Sequence, residues 1–289
     1  MNRKTSLIIV LVVLALTSLA CGITLTLPDD AIEIGDLRTD TIFIPAPEDS
    51  DTTSVKLEFG AGKLILKPGA PEGLIAGSAS YNVDGLNPEV TISSSEVSIK
   101  QEPYKFKLGG LPNVNQVENT WELSFGTQPI ELELRAGAFD GDFELGGMAL
   151  EKLNVFSGAS SVEAHFSTPN LSSMSELHFT TGASSAKLYE LANANFSLMK
   201  FEGGAGDYTL DFSGTLQRDA TVEIDAALSN VKIIVPDGTP TTLRLESNLT
   251  NVNAHGTWAG GASNYSLAGS GSTLTIVVKL GAGNLDLSN

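Results

Sequence analysis

The sequence is poor in the residues that build disulfide frameworks, metal sites and nucleic-acid interfaces. Its 289 residues include one cysteine and three histidines, which excludes a disulfide framework and a zinc site of the usual Cys/His spacing. Lys and Arg number 17 against 34 Asp and Glu, so the net charge is −17. A chain this acidic is repelled by phosphate backbones unless its cations cluster, and these do not. We expect no nucleic-acid partner.

The chain has enough apolar material for a folded core. Hydrophobic residues make up 42% of it and charged residues 18%, so extensive disorder is excluded. Its 29 glycines are spread along the whole length. Because glycine interrupts helices, this distribution favours many short strands over long helices.

A short apolar run near the N-terminus follows a positive start. Arg3 and Lys4 precede residues 7–16, which are uninterruptedly apolar. A membrane-spanning helix needs about 20 such residues, and this run ends before Thr17 and Ser18. The pattern is typical of a secretory signal peptide rather than a retained anchor.

The single cysteine stands where such a signal is cleaved. The Ala20-Cys21 pair resembles the bacterial lipoprotein signal, although Ser18 stands where leucine is usual and Leu19 comes one place late. The resemblance implies a signal peptide over residues 1–20, a lipid-modified Cys21, and an exported protein anchored to the outer face of a bacterial membrane. The alternative is an ordinary signal peptide cleaved nearby, which leaves a free thiol.

A tether and then a repeat follow the signal. Residues 21–53 are rich in Asp, Thr and Pro and are predicted to be an acidic extended tether, with a first strand at residues 41–44. From residue 54 to 289 we predict a single β-solenoid domain. Residues 54–130 form its irregular cap and residues 131–289 its regular rungs.

The repeat is visible when three segments are compared. Residues 55–66 read VKLEFGAGKLIL, residues 199–210 read MKFEGGAGDYTL, and residues 278–287 read VKLGAGNLDL. In each segment apolar and polar residues alternate up to a small or apolar residue. Two polar or small residues follow it, and the alternation then resumes shifted by one position, that is, with the opposite parity. We call that first small or apolar residue the hinge, and the hinges are Ala61, Ala138, Ala159, Ala183, Ala205, Leu228, Leu249 and Ala282.

The parity change predicts a bend in a strand. Side chains alternate with period two, so apolar groups stay on one side only if the strand turns there. From Ala138 to Leu249 the hinges are 21, 24, 22, 23 and 21 residues apart, too short for a helical crossover. We therefore predict an all-β, parallel β-helix-like solenoid with rungs of about 22 residues. A sandwich of antiparallel hairpins is the alternative, and it explains the recurring parity break less well.

The residue types predict which side of the bend is buried. Small hinges suit a crowded interior, and the two polar or small residues after each hinge suit an exposed corner. We therefore expect Ala205 to pack under Phe201, beside Ala183 and Leu228. Trp258 and Tyr265 lie in a glycine-rich loop and either form a contact surface or cover the side of the solenoid.

Three segments together resemble a known family. They are the Gly-Ala-Gly motif within residues 57–66, residues 121–125 with Pro129 and Gly137-Ala138, and residues 280–285. They resemble the bacterial toast-rack domain, which is related to the C-terminal region of LiaF-like proteins and to a group of adhesin-like proteins. The resemblance covers about residues 38–289. It implies an all-β solenoid at the cell envelope that binds or senses rather than catalyses, and it supplies no catalytic or ligand residues.

No catalytic, metal or cofactor site is predicted. Asp207 follows a glycine-rich turn but comes one residue too early for a calcium-binding nonapeptide. His165, His178 and His255 lack a Gly-x-Ser-x-Gly elbow and are expected on the surface, with His165 pointing outward. The carboxylate pairs Asp140/Asp142 and Asp207/Asp211 could share a face.

These observations favour a non-catalytic lipoprotein of the envelope that binds, adheres or senses. Expected partners are the membrane, through the N-terminal lipid, and a cell-wall polymer or envelope protein; the oligomeric state is left open. The alternative is an envelope polysaccharide-active enzyme on a β-helix scaffold, which requires its carboxylates to converge.

Substitution Cys21→Ser should abolish lipid attachment and cleavage by the lipoprotein route, because the thiol is the acceptor of the lipid. Metabolic labelling with a radioactive fatty acid measures this. Unchanged label in the variant would show that Cys21 is not the attachment site.

Overall fold

Sixteen β-strands make up almost all the regular structure. The computed structural model describes residues 34–47, 51–101, 116–247 and 249–289, so the signal peptide, Cys21 and the first part of the tether lie outside it. Within these ranges no helix is long and apolar enough to cross a membrane. The strands are β1 (Ile34–Ile44), β2 (Thr53–Pro68), β3 (Ile75–Val83), β4 (Pro88–Ile92), β5 (Glu96–Gln101), β6 (Asn119–Phe125), β7 (Ile130–Glu144), β8 (Leu150–His165), β9 (Met174–Tyr189), β10 (Phe196–Asp211), β11 (Ala220–Ile234), β12 (Thr241–Glu246), β13 (Thr250–Ala254), β14 (Ala259–Gly261), β15 (Asn264–Leu267) and β16 (Leu274–Ser288).

Seven long strands form the body of the sheet. They lie in the order β2-β7-β8-β9-β10-β11-β16, and every neighbouring pair is parallel. This confirms the predicted all-β solenoid and excludes the sandwich of antiparallel hairpins. Strand β2 falls in the range assigned to the cap, yet it has the length and register of the other six.

Each long strand bends back on itself. Phe201 and Tyr208 are seven positions apart in β10, which would separate them by roughly 23 Å in a straight strand. Their ring centroids are instead 4.9 Å apart. We call the part of a long strand before its bend the first limb and the part after it the second limb. The inward side chains of both limbs form one continuous core.

Short connections close each rung. Only residues 145–149 separate β7 from β8, and a buried 3₁₀ turn at Leu191–Ala194 helps to join β9 to β10. Parallel neighbours begin at the same end, so a connection must normally cross back over the sheet. Here the second limb makes that return, and no helical crossover is needed.

The hinges face solvent, so the prediction that they point inward is wrong. Leu228 is 67% and Leu249 75% exposed, and Ala205 is also exposed. In the seven long strands the residue just before the hinge faces outward too, and this pair of outward residues changes the parity. The residue just after the hinge turns inward, as shown by Phe139 and Ser229, each 5% exposed.

In most of the long strands the small residue at the corner is a glycine just before the hinge, and in β11 it is Ala227. A Cβ on Gly204 would lie 2.3 Å from the carbonyl oxygen of Gly182. A Cβ on Gly182 would lie 2.7 Å from that of Gly158, and one on Gly158 would lie 2.9 Å from that of Gly137. We call Gly137, Gly158, Gly182 and Gly204 the corner glycines. Their backbones stack so closely that a side chain has no room.

The order of the last rungs in the sheet differs from the order of their hinges along the sequence. Leu228 pairs with Ala282, and β16 lies between β11 and the β12/β13 pair. Strand β16 is continuous and buries apolar residues on both limbs, so it can serve as an inner rung. The segment around Leu249 is split into two short strands, which suits a terminal rung.

Both ends of the solenoid have such split rungs. Strands β5 and β6 pair with the first and second limbs of β2, and β12 and β13 pair in the same way with β16. Antiparallel strands then cover most of these: β4 covers β5, β3 and β1 extend from β6, and β15 and β14 extend from β12. The strand predicted at residues 41–44 is the end of β1, where Ile42 and Ile44 are buried.

Trp258 and Tyr265 are partly buried against the core. Of the two readings of the glycine-rich loop, this supports the one in which the aromatic rings cover the solenoid. They close the end of the core that β16, β12 and β13 leave open.

Substitution Gly204→Ala should destabilise the protein by about 1–3 kcal/mol, because the new methyl group collides with the Gly182 carbonyl. Ala205→Asp, one residue further on, should change stability by no more than about 1 kcal/mol because the site is exposed. Chemical denaturation of the two purified variants measures this. A larger loss in Ala205→Asp than in Gly204→Ala would reverse the assignment of inside and outside.

Candidate functional site

A groove runs across the outward face of the first limbs near the C-terminal end. One part has a volume of about 430 Å³ and is lined by charged side chains of β10, β11, β12 and β16. The adjoining part has a volume of about 570 Å³ and extends over the β14–β15 hairpin. Arg244 and Val277 line both parts. We call this combined surface the first-limb groove.

Register brings charges of both signs together in the groove. Lys279 of β16 lies between Asp225 of β11 and Glu246 of β12, and Arg244 forms an ion pair with Glu246. Lys200 pairs in register with Glu223 on the next strand. The groove is therefore close to neutral, in contrast to the chain as a whole with its net charge of −17.

Hydroxyl and amide groups lie among apolar side chains in the other part of the groove. Thr242, Ser266 and Thr275 contribute hydroxyl groups, and Asn264 contributes an amide. Hydroxyl and amide groups both donate and accept hydrogen bonds. The groove can therefore bind a polar ligand that carries hydroxyl groups together with charges of either sign.

Sequence reasoning missed this groove because it depends on rung order. Lys279 is 33 residues beyond Glu246 and 54 beyond Asp225 in the chain. The hinge spacing placed the Leu249 unit beside β11, and in that order Lys279 has no contact with Asp225. Gly281, the residue before the hinge of β16, was a usable signal, because the larger Asn248 occupies the matching position in the Leu249 unit.

Each carboxylate pair lies on one face of its strand, and the two pairs are far from each other. Asp140 and Asp142 of β7 and Asp207 of β10 are exposed on the outward face of the second limbs. Strand β10 lies three rungs from β7, roughly 14 Å at normal strand spacing. Asp207 accepts a hydrogen bond from Asn230, and Asp211 accepts one from the Ser213 backbone. The pairs are thus far apart, and Asp207 and Asp211 hold structural bonds.

His165 lies between two carboxylates on this same face. Its Nε2 is 3.2 Å from Glu163 and its Nδ1 is 3.3 Å from Glu190, and its ring stacks on Tyr189 at 4.8 Å. Burial by itself lowers the pKa of His165, but the hydrogen bonds to Glu163 and Glu190 outweigh it and raise that pKa. The hydrogen bond to His165 lowers the pKa of Glu163.

The other two histidines stand apart from His165. His178 lies on β9 with Glu176 and Glu202 at 3.8 and 3.6 Å, and Phe156 meets its ring edge-on. His255 is exposed beyond β13. Among the described residues no group of three or more His, Cys, Asp or Glu side chains could hold a metal ion.

Comparison with known families identifies part of the chain. Residues 33–175 match the family model described as the N-terminal domain of toast_rack, DUF2154. This range runs from β1 to the start of β9. A search of curated proteins finds no match.

Several solved structures are similar to this chain over most of its length. A "putative cell adhesion protein" from Clostridium sporogenes has a TM-score of 0.50 at 18% identity, over 88% of this chain and 99% of its own. A "putative adhesin" from Bacteroides fragilis has a TM-score of 0.33 at 9% identity, over 87% and 97%. Another from Parabacteroides merdae has a TM-score of 0.34 at 11% identity, over 88% and 96%. At 18% identity, the similarity to the Clostridium sporogenes protein shows a shared fold and does not show a shared function.

Substitution His165→Gln should change how stability depends on pH. The pKa of His165 is higher in the folded protein than its unfolded value of about 6.5, so protonated His165 stabilises the fold. This stabilisation is fully present below the unfolded pKa and is lost as the pH rises through the folded pKa. The parent should therefore gain stability over the variant on acidification from about pH 8 to about pH 6. Denaturation midpoints measured across this range test it, with the exposed His255→Gln as control. A constant difference between parent and His165→Gln would contradict the ion-pair role.

Proposed function

We propose that this chain, which carries a toast-rack N-terminal domain over residues 33–175, is a non-catalytic binding module of the bacterial cell envelope. Its ligand is a cell-wall polymer that bears hydroxyl groups and charges of both signs. The first-limb groove is the binding surface, and a lipid on Cys21 holds the module at the membrane.

The first-limb groove is the observation that carries this proposal. Its two parts of about 430 and 570 Å³ form one elongated surface across four strands and a hairpin. Arg244 and Lys279 are exposed there and offer N–H donors to anionic groups of a ligand. Glu202, Glu223 and Asp225 offer acceptors to amines and hydroxyl groups. An extended polymer suits an open, elongated surface better than a small molecule does, since small ligands favour enclosed pockets.

A binding role agrees with the dispersed carboxylates. Glycoside cleavage requires two carboxyl groups within about 5–10 Å on either side of one bond. Asp140 and Asp142 project side by side from one exposed face of β7, so they cannot stand on either side of one bond, and Asp207 is engaged by Asn230. One solved structure with this fold is named a "putative cell adhesion protein", and adhesion likewise acts by binding.

The double substitution Arg244→Ala with Lys279→Ala should weaken binding to the envelope at least about tenfold, because two charge-assisted contacts are lost. The matched control is Lys187→Ala with Lys232→Ala, which removes the same charge from the second-limb face. Both variants and the parent are incubated with native cell-wall polymer, and the bound fraction is measured at several salt concentrations.

The experiment has three distinct outcomes. Retained binding in the control with loss in the groove variant supports the proposal. Equal binding by all three proteins would rule out the first-limb groove as the binding surface, and equal loss in both variants would indicate attraction by charge alone.

A further inference from the structure

The solenoid has one bare strand edge at its C-terminal end. Strand β13 pairs with the second limb of β16, and within the described residues no further strand pairs with it. The first-limb half of the same terminal rung, β12, is covered by the β14–β15 hairpin. An uncovered edge offers backbone N–H and C=O groups to another chain.

The usual protection of an edge is missing from β13. Strand β4 contains Pro88 and Glu89, β1 contains Asp36 and Arg38, and β14 is only three residues long. Proline, charge and shortness all discourage pairing. The sequence of β13 is TNVNA, with neither charge nor proline, and Leu249 just before it is 75% exposed.

The direction of the free backbone groups follows from one hydrogen bond. The His255 N–H donates to the Leu287 carbonyl of β16 at 2.8 Å. Backbone groups point to alternate sides along a strand, so those of Asn251 and Asn253 also point to β16. The N–H and C=O groups of Thr250, Val252 and Ala254 therefore point outward from the edge.

These three residues are arranged symmetrically about Val252. If a second copy pairs antiparallel with Val252 opposite Val252, then Thr250 meets Ala254 of the other copy, and all three pairs exchange backbone hydrogen bonds. A two-fold interface requires such self-complementarity. Asn251 then lies opposite Asn253 in a non-hydrogen-bonded pair, where side chains are closest.

The side chains also fit this pairing. Asn284 donates to Asn230 and Asn230 donates to Asp207, both at 2.7 Å, and Asn251 is next in register on the exposed edge. A facing Asn253 from a second copy would extend this row of amides. Val252 is partly buried against the core and would gain the cover of its equivalent.

We propose that β13 is a self-association edge through which two copies of this chain pair antiparallel about Val252. The contact is confined to the second limb, because the β14–β15 hairpin occupies the first-limb end. A five-residue ladder buries much less than the 1,200–2,000 Å² or so of a stable complex. The dimer is therefore weak and depends on protein concentration.

Sedimentation velocity of the full chain in detergent, from about 1 μM to about 1 mM, tests the proposal. The parent should shift from monomer to dimer over this range. Val252→Pro removes an outward N–H and spares every bond to β16, so it should weaken dimerisation at least about tenfold. Val252→Thr keeps the N–H and should dimerise like the parent. A parent that stays monomeric, or a Val252→Pro variant that dimerises equally, overturns the proposal.

A second experiment does not depend on the folding of the proline variant. In the Cys21→Ser background, Asn251→Cys and Asn253→Cys chains are mixed and oxidised. The predicted register brings these two positions to about 4.5 Å between Cα atoms, within disulfide range. The mixture should form cross-linked dimer faster than either variant alone. Equal rates in all three samples would contradict the antiparallel register.

Discussion

The close stacking of backbone at the corner is the constraint on which the rest of the structure depends. Each long strand must reverse direction so that its two limbs can share one core. At that point the backbone of one rung lies against the backbone of the next, with the carbonyl of Gly182 directly where a side chain of Gly204 would stand. The corner glycines permit this contact in β7 to β10, and in β11 the small side chain of Ala227 takes the same position.

The sequence predicted the architecture but placed the buried side of the corner wrongly. The parity change identified the bend and the parallel stacking, because alternation alone reports which limb residues face the core. It does not indicate which of several adjacent small residues lies against the backbone of the next rung. Gly204 and Ala205 are both small, but only Gly204 meets backbone, whereas Ala205 is exposed. Leu228 and Leu249 at hinges indicated this already, since leucine is too large for a crowded corner.

The candidate site was less predictable than the fold because it is assembled across rungs. Each rung could be recognised from its own sequence, but the neighbours of β16 could not be inferred from spacing. Its insertion between β11 and β12 brings Lys279 between Asp225 and Glu246 and thereby creates the first-limb groove. The same insertion leaves β13 as the bare terminal strand. One feature of topology thus underlies both proposed contact surfaces.

The position and direction of the hinges near β16 can be measured directly by cross-linking. In the Cys21→Ser background, Leu228→Cys with Ala282→Cys places two outward thiols on neighbouring rungs. Leu228→Cys with Leu249→Cys places them two rungs apart, roughly 10 Å at normal strand spacing. A very short bifunctional thiol reagent should join the first pair rapidly and the second pair slowly. The opposite result, rapid cross-linking of the Leu228→Cys/Leu249→Cys pair and no reaction of the cysteine at position 282, would contradict both the rung order and the outward direction of the hinges.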